Sequence, residues 1–529
     1  MAENDTVNRI MLLNPASKVF IYADGSPAHR KHCTPPLGLA YLAANALSAG
    51  YEVSVVDAVA EGYQNEWFEA PYLYYGLGNE SILERIAQAK PEVVGISVLF
   101  SNIMAEVHTL CADIKRRFPE ITIVLGGHHP TGAAINVMQD ENIDYVMLGE
   151  ADESFIQLLD HLNDRRSVDQ VQALYYRRDG ELLSTMAGVK PMAEGEGWAY
   201  YNRKDAGIPL DLDGLPLPAW HLFPMDAYWQ TDVRIGGGDC QRDRYAVMMS
   251  TRGCPHACYF CTSPLVSGYK GYRRRTNDSV IEEIRWLRDE MGVQEIQFLD
   301  DNFYVSKPRV KDLLARVAEE FPDMVFGVPG GTEVNALDEE VIALMAKANF
   351  YKTLLANEAG DPELQGALID KKVRVHEVPR TVELLKSYGI ETRALFMIGF
   401  PDETRDQIGR TVELAKSLDV DDFYISLVTP LPGTPLYDEC VERGLFVDGF
   451  DVNNIRFSVA SIRLPDTTPD ELEGIRRTVW QERFIEMRER LAERNQDERK
   501  HRFSGLKEYE LVGFQSLDTV REQSVSNPA

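Results

Sequence analysis

Apolar, β-branched runs at 9–14, 52–57, 92–98, 122–125 and 145–148 alternate with stretches of helical periodicity at 37–49, 81–89, 105–118 and 154–162. Such alternation predicts crossover units and a parallel sheet covered on both faces. In these sheets ligands bind beyond the carboxyl ends of the strands. Those ends carry Asn14-Pro15, Asp57, Ser97, Gly126-Gly127 and Gly149-Glu150. From 167 to 240 the periodicity fades into Gly, Pro, Asp and aromatic residues. That stretch is too long for a simple loop, so it is predicted to wrap its neighbours or to form a small subdomain. The alternation then resumes. Strand-like runs lie at 245–250, 295–299, 325–328, 353–356, 393–398 and 423–427, and helical segments near 278–290, 307–320, 338–348, 375–387 and 405–417. Six such units predict a partial barrel. Beyond it, 448–529 reads as a mainly helical extension, strongest near 468–493, with a disordered tail at 524–529.

The length of 529 residues exceeds what one hydrophobic core usually holds. The expected division is 1–166, 167–240, 241–447 and 448–529. The formal net charge of −28 repels nucleic acid and anionic membrane, so neither is expected as a partner. No apolar run approaches the roughly 20 residues of a membrane helix, and residues 1–9 show no signal-peptide pattern. A cytoplasmic protein is expected. Four of the seven cysteines (Cys33, Cys111, Cys240, Cys440) are scattered and do not suggest a disulfide framework.

The other three carry the chemistry. Ser250-Thr-Arg-Gly-Cys-Pro-His-Ala-Cys-Tyr-Phe-Cys-Thr-Ser-Pro264 follows the first strand of the second block and places Cys254, Cys258 and Cys261 in C-x-x-x-C-x-x-C spacing. A compact loop of thiolates suits a cubane cluster, and three ligands leave one iron open to bind and polarise a substrate. Gly253 permits a tight turn and Pro255 stiffens it. The alternative is zinc. Zinc wants a fourth ligand, and His256, inside the loop, would strain the turn to supply it.

On these residues the second block resembles the radical S-adenosylmethionine superfamily, over about 245–447. Phe260 matches that family's aromatic before the third cysteine. The resemblance implies that Asp300, Asp301 and Asn302 hold the methionine amino group, although Leu299-Asp-Asp-Asn302 replaces the diglycine-glutamate motif of some relatives. It implies that Glu358, in Glu358-Ala-Gly360, lies near the ribose. Gly399, in Phe396-Met-Ile-Gly-Phe-Pro-Asp-Glu-Thr404, would line the adenine, and Arg393 would join the S-adenosylmethionine contacts. Leu431-Pro-Gly-Thr-Pro435 resembles the exit from the sixth strand. The implied chemistry is reductive cleavage of S-adenosylmethionine on a [4Fe-4S] cluster to a 5′-deoxyadenosyl radical, with the protein positioning the reactants and excluding water.

In the first block no G-x-G-x-x-G follows the first strand, which weakens a dinucleotide reading. The segments Thr34–Ala43, Gly126–Thr131 and Leu148–Glu153 resemble the corrinoid domain fused to many radical enzymes. That resemblance implies cobalamin, as methylcobalamin, against Pro36, Gly38, Asp57, Ser97, Leu99, Ser101, Gly126, Gly127, His129, Thr131, Gly149 and Glu150. The D-x-H-x-x-G cobalt-ligand motif is absent. Together the blocks are similar to the cobalamin-dependent radical S-adenosylmethionine methyltransferases. The expected fold is α/β: a Rossmann-like cobalamin-binding domain, a partial (β/α)6 radical barrel and a helical extension. Stretches 34–50, 55–63 and 75–80 are similar to the C-methyltransferases of fosfomycin biosynthesis. This implies methylation at C2 of cytidylyl-2-hydroxyethylphosphonate, a small-molecule substrate, with a low-potential reductant such as flavodoxin or ferredoxin. Arg273, Arg274 and Arg275 are candidates to meet the phosphonate, against a structural basic turn. Rival readings are P-methylation, methylation of another carbon, a cyclisation or rearrangement, and a non-catalytic corrinoid sensor.

Overall fold

The computed structural model describes residues 7–21, 25, 27, 31–186, 208–231, 240–268, 271–368, 370–371 and 373–494. The expected tail at 524–529 and parts of the irregular stretch, 187–207 and 232–239, lie outside them.

The first sheet has seven strands, in the order Glu181–Ser184, Leu174–Arg178, Tyr145–Met147, Thr122–Gly126, Val93–Ser97, Arg9–Asn14 and Glu52–Asp57. The last five run parallel. One face buries Met11, Leu13, Val94, Ile96, Ile123 and Leu125 against Ile82, Ile86, Val107, Leu110 and Ile114 of the helices Asn79–Ala89 and Met104–Arg117. The opposite face buries Ile10, Leu12, Val93 and Val124 against the helices Leu37–Ser48 and Ser154–Leu162. Both faces are covered, which accounts for strands that are apolar without alternation.

Two features depart from the expected pattern. The sheet continues past 166 into an antiparallel pair, Leu174–Arg178 and Glu181–Ser184. Asp179 (φ 53°) and Gly180 (φ 81°) form its turn, the left-handed Asp-Gly pair that matches strand twist. A separate antiparallel sheet of Ser17–Phe20, Tyr72–Tyr75 and Glu66–Glu69 stands beyond the strand ends.

The second sheet has six parallel strands in chain order: Tyr245–Met248, Glu295–Phe298, Val325–Thr332, Phe350–Glu358, Glu391–Ile398 and Asp422–Leu427. Every one of the six expected strands is present. The helix Pro469–Arg494 backs the last strand, where Arg476 Nε donates to the Ile425 carbonyl at 3.0 Å.

Within the irregular stretch, residues 208–231 act as a tether. Trp220 and Tyr228 are fully buried in a core continuous with both sheets. Tyr228 donates to Asp57 at 2.6 Å, at the end of one sheet. The neighbouring Trp229 indole donates to the Tyr245 carbonyl at 2.8 Å, at the start of the other.

Candidate functional site: a thiolate loop facing an open sheet rim

The cysteine loop is held from below by the second strand of the barrel. Ser250 donates to Asp300 through its backbone N–H (3.1 Å) and hydroxyl (2.7 Å), and the Thr251 hydroxyl donates at 2.5 Å. Burial pushes the Asp300 carboxyl up, and those three donors oppose the shift. Asp301 accepts from the Gly253 N–H at 3.0 Å. Gly253 has φ +75°, and a Cβ there would lie 2.5 Å from the Gly271 carbonyl, so only glycine fits. Farther along, the Ala257 N–H donates to Asp370 at 3.0 Å and His256 Nε2 pairs with Glu333 at 2.9 Å.

The three thiols are unpaired by disulfide, with Cys254 and Cys258 buried. Burial pushes Cys254 up to about 11 and Cys261 up to about 12, and raises Cys258 as well. Backbone amides of His256, of Lys371 and Asp370, and of Ser263 oppose this at Cys254, Cys258 and Cys261 respectively. Lys371 faces all three. Burial alone would lower its ammonium, but Glu358, at 3.5 Å, and the thiols hold it up. Among the described residues no three His, Cys, Asp or Glu side chains converge as ligands of one ion. Thiolates of a cubane each bind a different iron and need no common centre, whereas a mononuclear zinc site does. Buried thiols flanked by amide donors and a cation fit an iron–sulfur cluster.

Phe260 and the Gly399 segment, distant in sequence, meet here. The Phe260 ring packs edge-on against Phe400 with centroids 5.8 Å apart. Gly399 (φ +96°) and Phe400 both donate their N–H groups to Glu403, at 2.5 and 2.9 Å. Glu403 is fully buried, and burial pushes its carboxyl up to about 7 against those two amides. Sequence reasoning quoted Glu403 without giving it a task; its signal was an acid four residues after a turn glycine. Lys371 and Asp370 were missed, since nothing in their local pattern shows that they reach the cysteines. Asn357 is also new. It is fully buried beside Glu358, and both its side-chain amide atoms lack a hydrogen-bond partner. Glu358 adopts φ +61° at the strand end. Asn302 adjoins Glu333. Arg393 lies near the start of its strand, ion-paired with Asp422 at 3.0 Å.

The carboxyl rim of the first sheet is open and apolar at its centre. Leu99 and Phe100 are 49% and 46% exposed, and are among the few exposed large apolar side chains of the described residues. Gly38, just after Pro36 at the start of its helix, has nothing within 4 Å of a notional Cβ. Gly126 has only the Met147 carbonyl, at 3.9 Å. Gly127 (φ +106°) turns tightly over Val98, whose carbonyl would lie 2.6 Å from a Cβ. Next to it His129 Nδ1 pairs with Ser101 Oγ at 2.8 Å, and burial pushes the imidazole down to about 4. A neutral ring suits an apolar surface. An exposed apolar patch edged by glycines fits a flat macrocycle.

Other residues expected at this rim are engaged by protein groups. Asp57 is fully buried and accepts from Ala60 N, Asn14 Nδ2 and Tyr228 OH, so it holds the tether. Thr131 braces the turns, donating to the Gly127 carbonyl at 2.7 Å and accepting from Gly149 N at 2.9 Å. Glu150 is bound by Arg252 and Arg273. The arginine run is likewise occupied. Arg273 is held by Glu150 and the Pro209 carbonyl, and Arg275 by the buried Glu283. Both are buried, which leaves Arg274 as the exposed member.

Residues 27–159 match the B12 binding domain and residues 248–415 match the Radical SAM superfamily. The chain is 30% identical over 466 residues to the cytidylyl-2-hydroxyethylphosphonate methyltransferase of Streptomyces wedmorensis, with 84% of each chain covered. It is 24% identical to the anaerobic magnesium-protoporphyrin IX monomethyl ester cyclase of Rubrivivax gelatinosus, covering 91% of this chain and 80% of that one. Among solved structures it resembles the radical S-adenosylmethionine methyltransferase TsrM from Kitasatospora setae, solved with cobalamin and a [4Fe-4S] cluster. The TM-score is 0.62 at 19% identity, covering 83% of this chain and 75% of that one. It also resembles the cobalamin-dependent radical enzyme OxsB, with a TM-score of 0.63 at 13% identity and coverage of 87% and 65%. The last two establish the fold: a cobalamin-binding sheet followed by a radical barrel.

Fold, paired modules and sequence identity define a cobalamin-dependent radical enzyme. The chain belongs to the cobalamin-dependent radical S-adenosylmethionine methyltransferases. Its cofactors are a [4Fe-4S] cluster, S-adenosylmethionine and cobalamin. Among the described residues no helix is long and apolar enough to cross a membrane.

Proposed function

We propose that the enzyme methylates C2 of cytidylyl-2-hydroxyethylphosphonate. The observation that carries this reading is 30% identity sustained over 84% of both chains with a methyltransferase of that substrate. When bound, the cluster and S-adenosylmethionine supply a hydrogen-abstracting radical, and the corrinoid supplies a transferable methyl group.

The chain's own residues hold and shield. Cys254, Cys258 and Cys261 ligate the cluster, while Asp300 and Asp301 keep their loop in shape. Phe260 and the backbone at Gly399 and Phe400 flank the adenine. Asn357 and Glu358 stand at the ribose, which accounts for the unpartnered Asn357 amide. Lys371 supplies positive charge beside the thiolates. Leu99 and Phe100 pack on the corrin, with Gly38 and Gly126 admitting close approach and Gly127 making the tight turn beside them. In this reading the corrinoid module spans 1–166 with its sheet carried on to Ser184, the radical module spans 241–447, the protein is cytoplasmic, and electrons come from a flavodoxin or ferredoxin.

The test is anaerobic reconstitution with methylcobalamin, S-adenosylmethionine and titanium citrate, then incubation with the cytidylylated phosphonate. The expected product gains one methylene group by mass and is a hydroxypropylphosphonate derivative. Deoxyadenosine formation with no such product would remove the substrate assignment and keep the family. A product altered without methylene gain would favour a cyclase-like reaction.

A further inference from the structure

The turn that leaves the first sheet after Tyr145–Met147 meets the short ribbon of Thr251–Arg252 paired with Arg273–Arg274. Glu150 accepts from Arg252 Nη1 and Arg273 Nη1, each at 3.0 Å, and closely from Arg273 Nη2. Asp152 holds Arg252 in a fork of 2.7 and 3.2 Å. The Arg252 guanidinium also lies 4.6 Å over the Tyr41 ring. These four charged side chains are only 6–11% exposed, and two anions face two cations. Burial would raise the Glu150 carboxyl, but the two guanidiniums hold it below its ordinary value.

A second seam lies beyond the other end of the cysteine loop. A Cβ on Gly132 would fall 2.3 Å from the Pro432 carbonyl. A Cβ on Gly433 would fall 2.7 Å from Leu265 and 3.4 Å from the Gly132 Cα. Leu265 belongs to the helix Ser263–Ser267, directly after Cys261. Both seams therefore join the rim of the first sheet to the flanks of the cluster loop.

A buried ion pair adds little net stability compared with apolar packing, but forked guanidinium–carboxylate bonds impose direction and register. We propose that Glu150, Asp152, Arg252 and Arg273, with the Gly132–Gly433 contact, are positioning elements that set the separation of the corrin-binding rim from the cluster loop. The inference rests on the reading that both cofactors bind this one chain. A hydrogen-abstracting group and a methyl donor must reach the same carbon, and a displacement of about 1 Å can cost about 10²-fold in rate.

The experiment uses the full chain loaded anaerobically with cluster and cobalamin. Variants are Glu150→Gln with Asp152→Asn, which keeps shape and removes charge, and separately Gly132→Ala, which wedges the other seam. Pulsed electron paramagnetic resonance reads the dipolar distance between the reduced cluster and cob(II)alamin. The expected result is wild-type iron and corrin content with a shifted or broadened distance distribution in both variants. Methylated product per deoxyadenosine falls by about tenfold or more with the cytidylylated phosphonate. Arg273→Lys, which keeps charge but loses the fork, should fall between. Unchanged distances in both variants would overturn the proposal. So would lost corrin affinity at unchanged distance, which would make Glu150 a corrin contact instead. If the double variant, which leaves two buried guanidiniums uncompensated, does not fold, Gly132→Ala and Arg273→Lys decide by the same distance. Failure of the underlying reading would show separately, as wild-type protein that lacks iron or corrin.

Discussion

The cysteine loop and the carboxyl rim of the first sheet are built on opposite plans. At the loop, the acids beside the cysteines are held: Asp300 by three donors, Asp301 by Gly253, and Asp370 by Ala257. At the rim, Leu99 and Phe100 stand exposed, and Gly38 and Gly126 leave space. Three thiolates must meet a small cluster from fixed directions, so their backbone is over-determined. A broad macrocycle is bound by area, so its surface needs shape more than direction.

The sharpest way to break this contrast is Cys258→Ala. Deoxyadenosine production should fall to the level without enzyme, while corrin binding, followed by absorbance, persists. Loss of both would mean that the rim depends on the loop.

Asp300→Ala comes next. It strips the acceptor from Ser250 N, Ser250 Oγ and Thr251 Oγ1. Buried donors left unpaired cost about 1–3 kcal/mol each. Iron per chain and the thermal midpoint should both drop, and corrin affinity should hold.

Glu403 offers a smaller effect with a defined sign. Its carboxyl lies at about 7 in the fold against an ordinary 4.5. The folded state therefore binds more protons than the unfolded one between those values, and stability declines as pH rises through that window. The range of that decline is at most about 3 kcal/mol. Glu403→Gln should remove this slope, read from urea midpoints at about pH 5 and about pH 8. An unchanged slope would show that the carboxyl is not enclosed as described.

The smallest effect belongs to the open side. Phe100→Ala should weaken corrinoid binding by about tenfold, the equivalent of about 1.4 kcal/mol, and leave iron content unchanged. No change would remove Phe100 from the corrin surface.

Legibility follows the same division. The cysteine spacing and the strand–helix alternation are local patterns, and both sheets could be read from them. The Asp179-Gly180 hairpin was equally readable and was overlooked because the surrounding periodicity is weak. Glu150, Asp57 and Thr131 stand where strand-end residues bind ligands in this fold class, and in the structure each is engaged by protein groups. Burial and partners 100 or more residues away assign those roles at Glu150 and Asp57, and no window of sequence contains them. Lys371 stayed hidden for the same reason.

The sequence by itself determined the chemistry: thiolate number and spacing depend on bonded neighbours along one short loop. It also determined both sheets, because apolar periodicity is a property of consecutive residues. Only the tertiary structure decided which charged groups bind each other. That choice depends on desolvation and on distances between segments far apart in the chain, and the packing of the two sheets sets both.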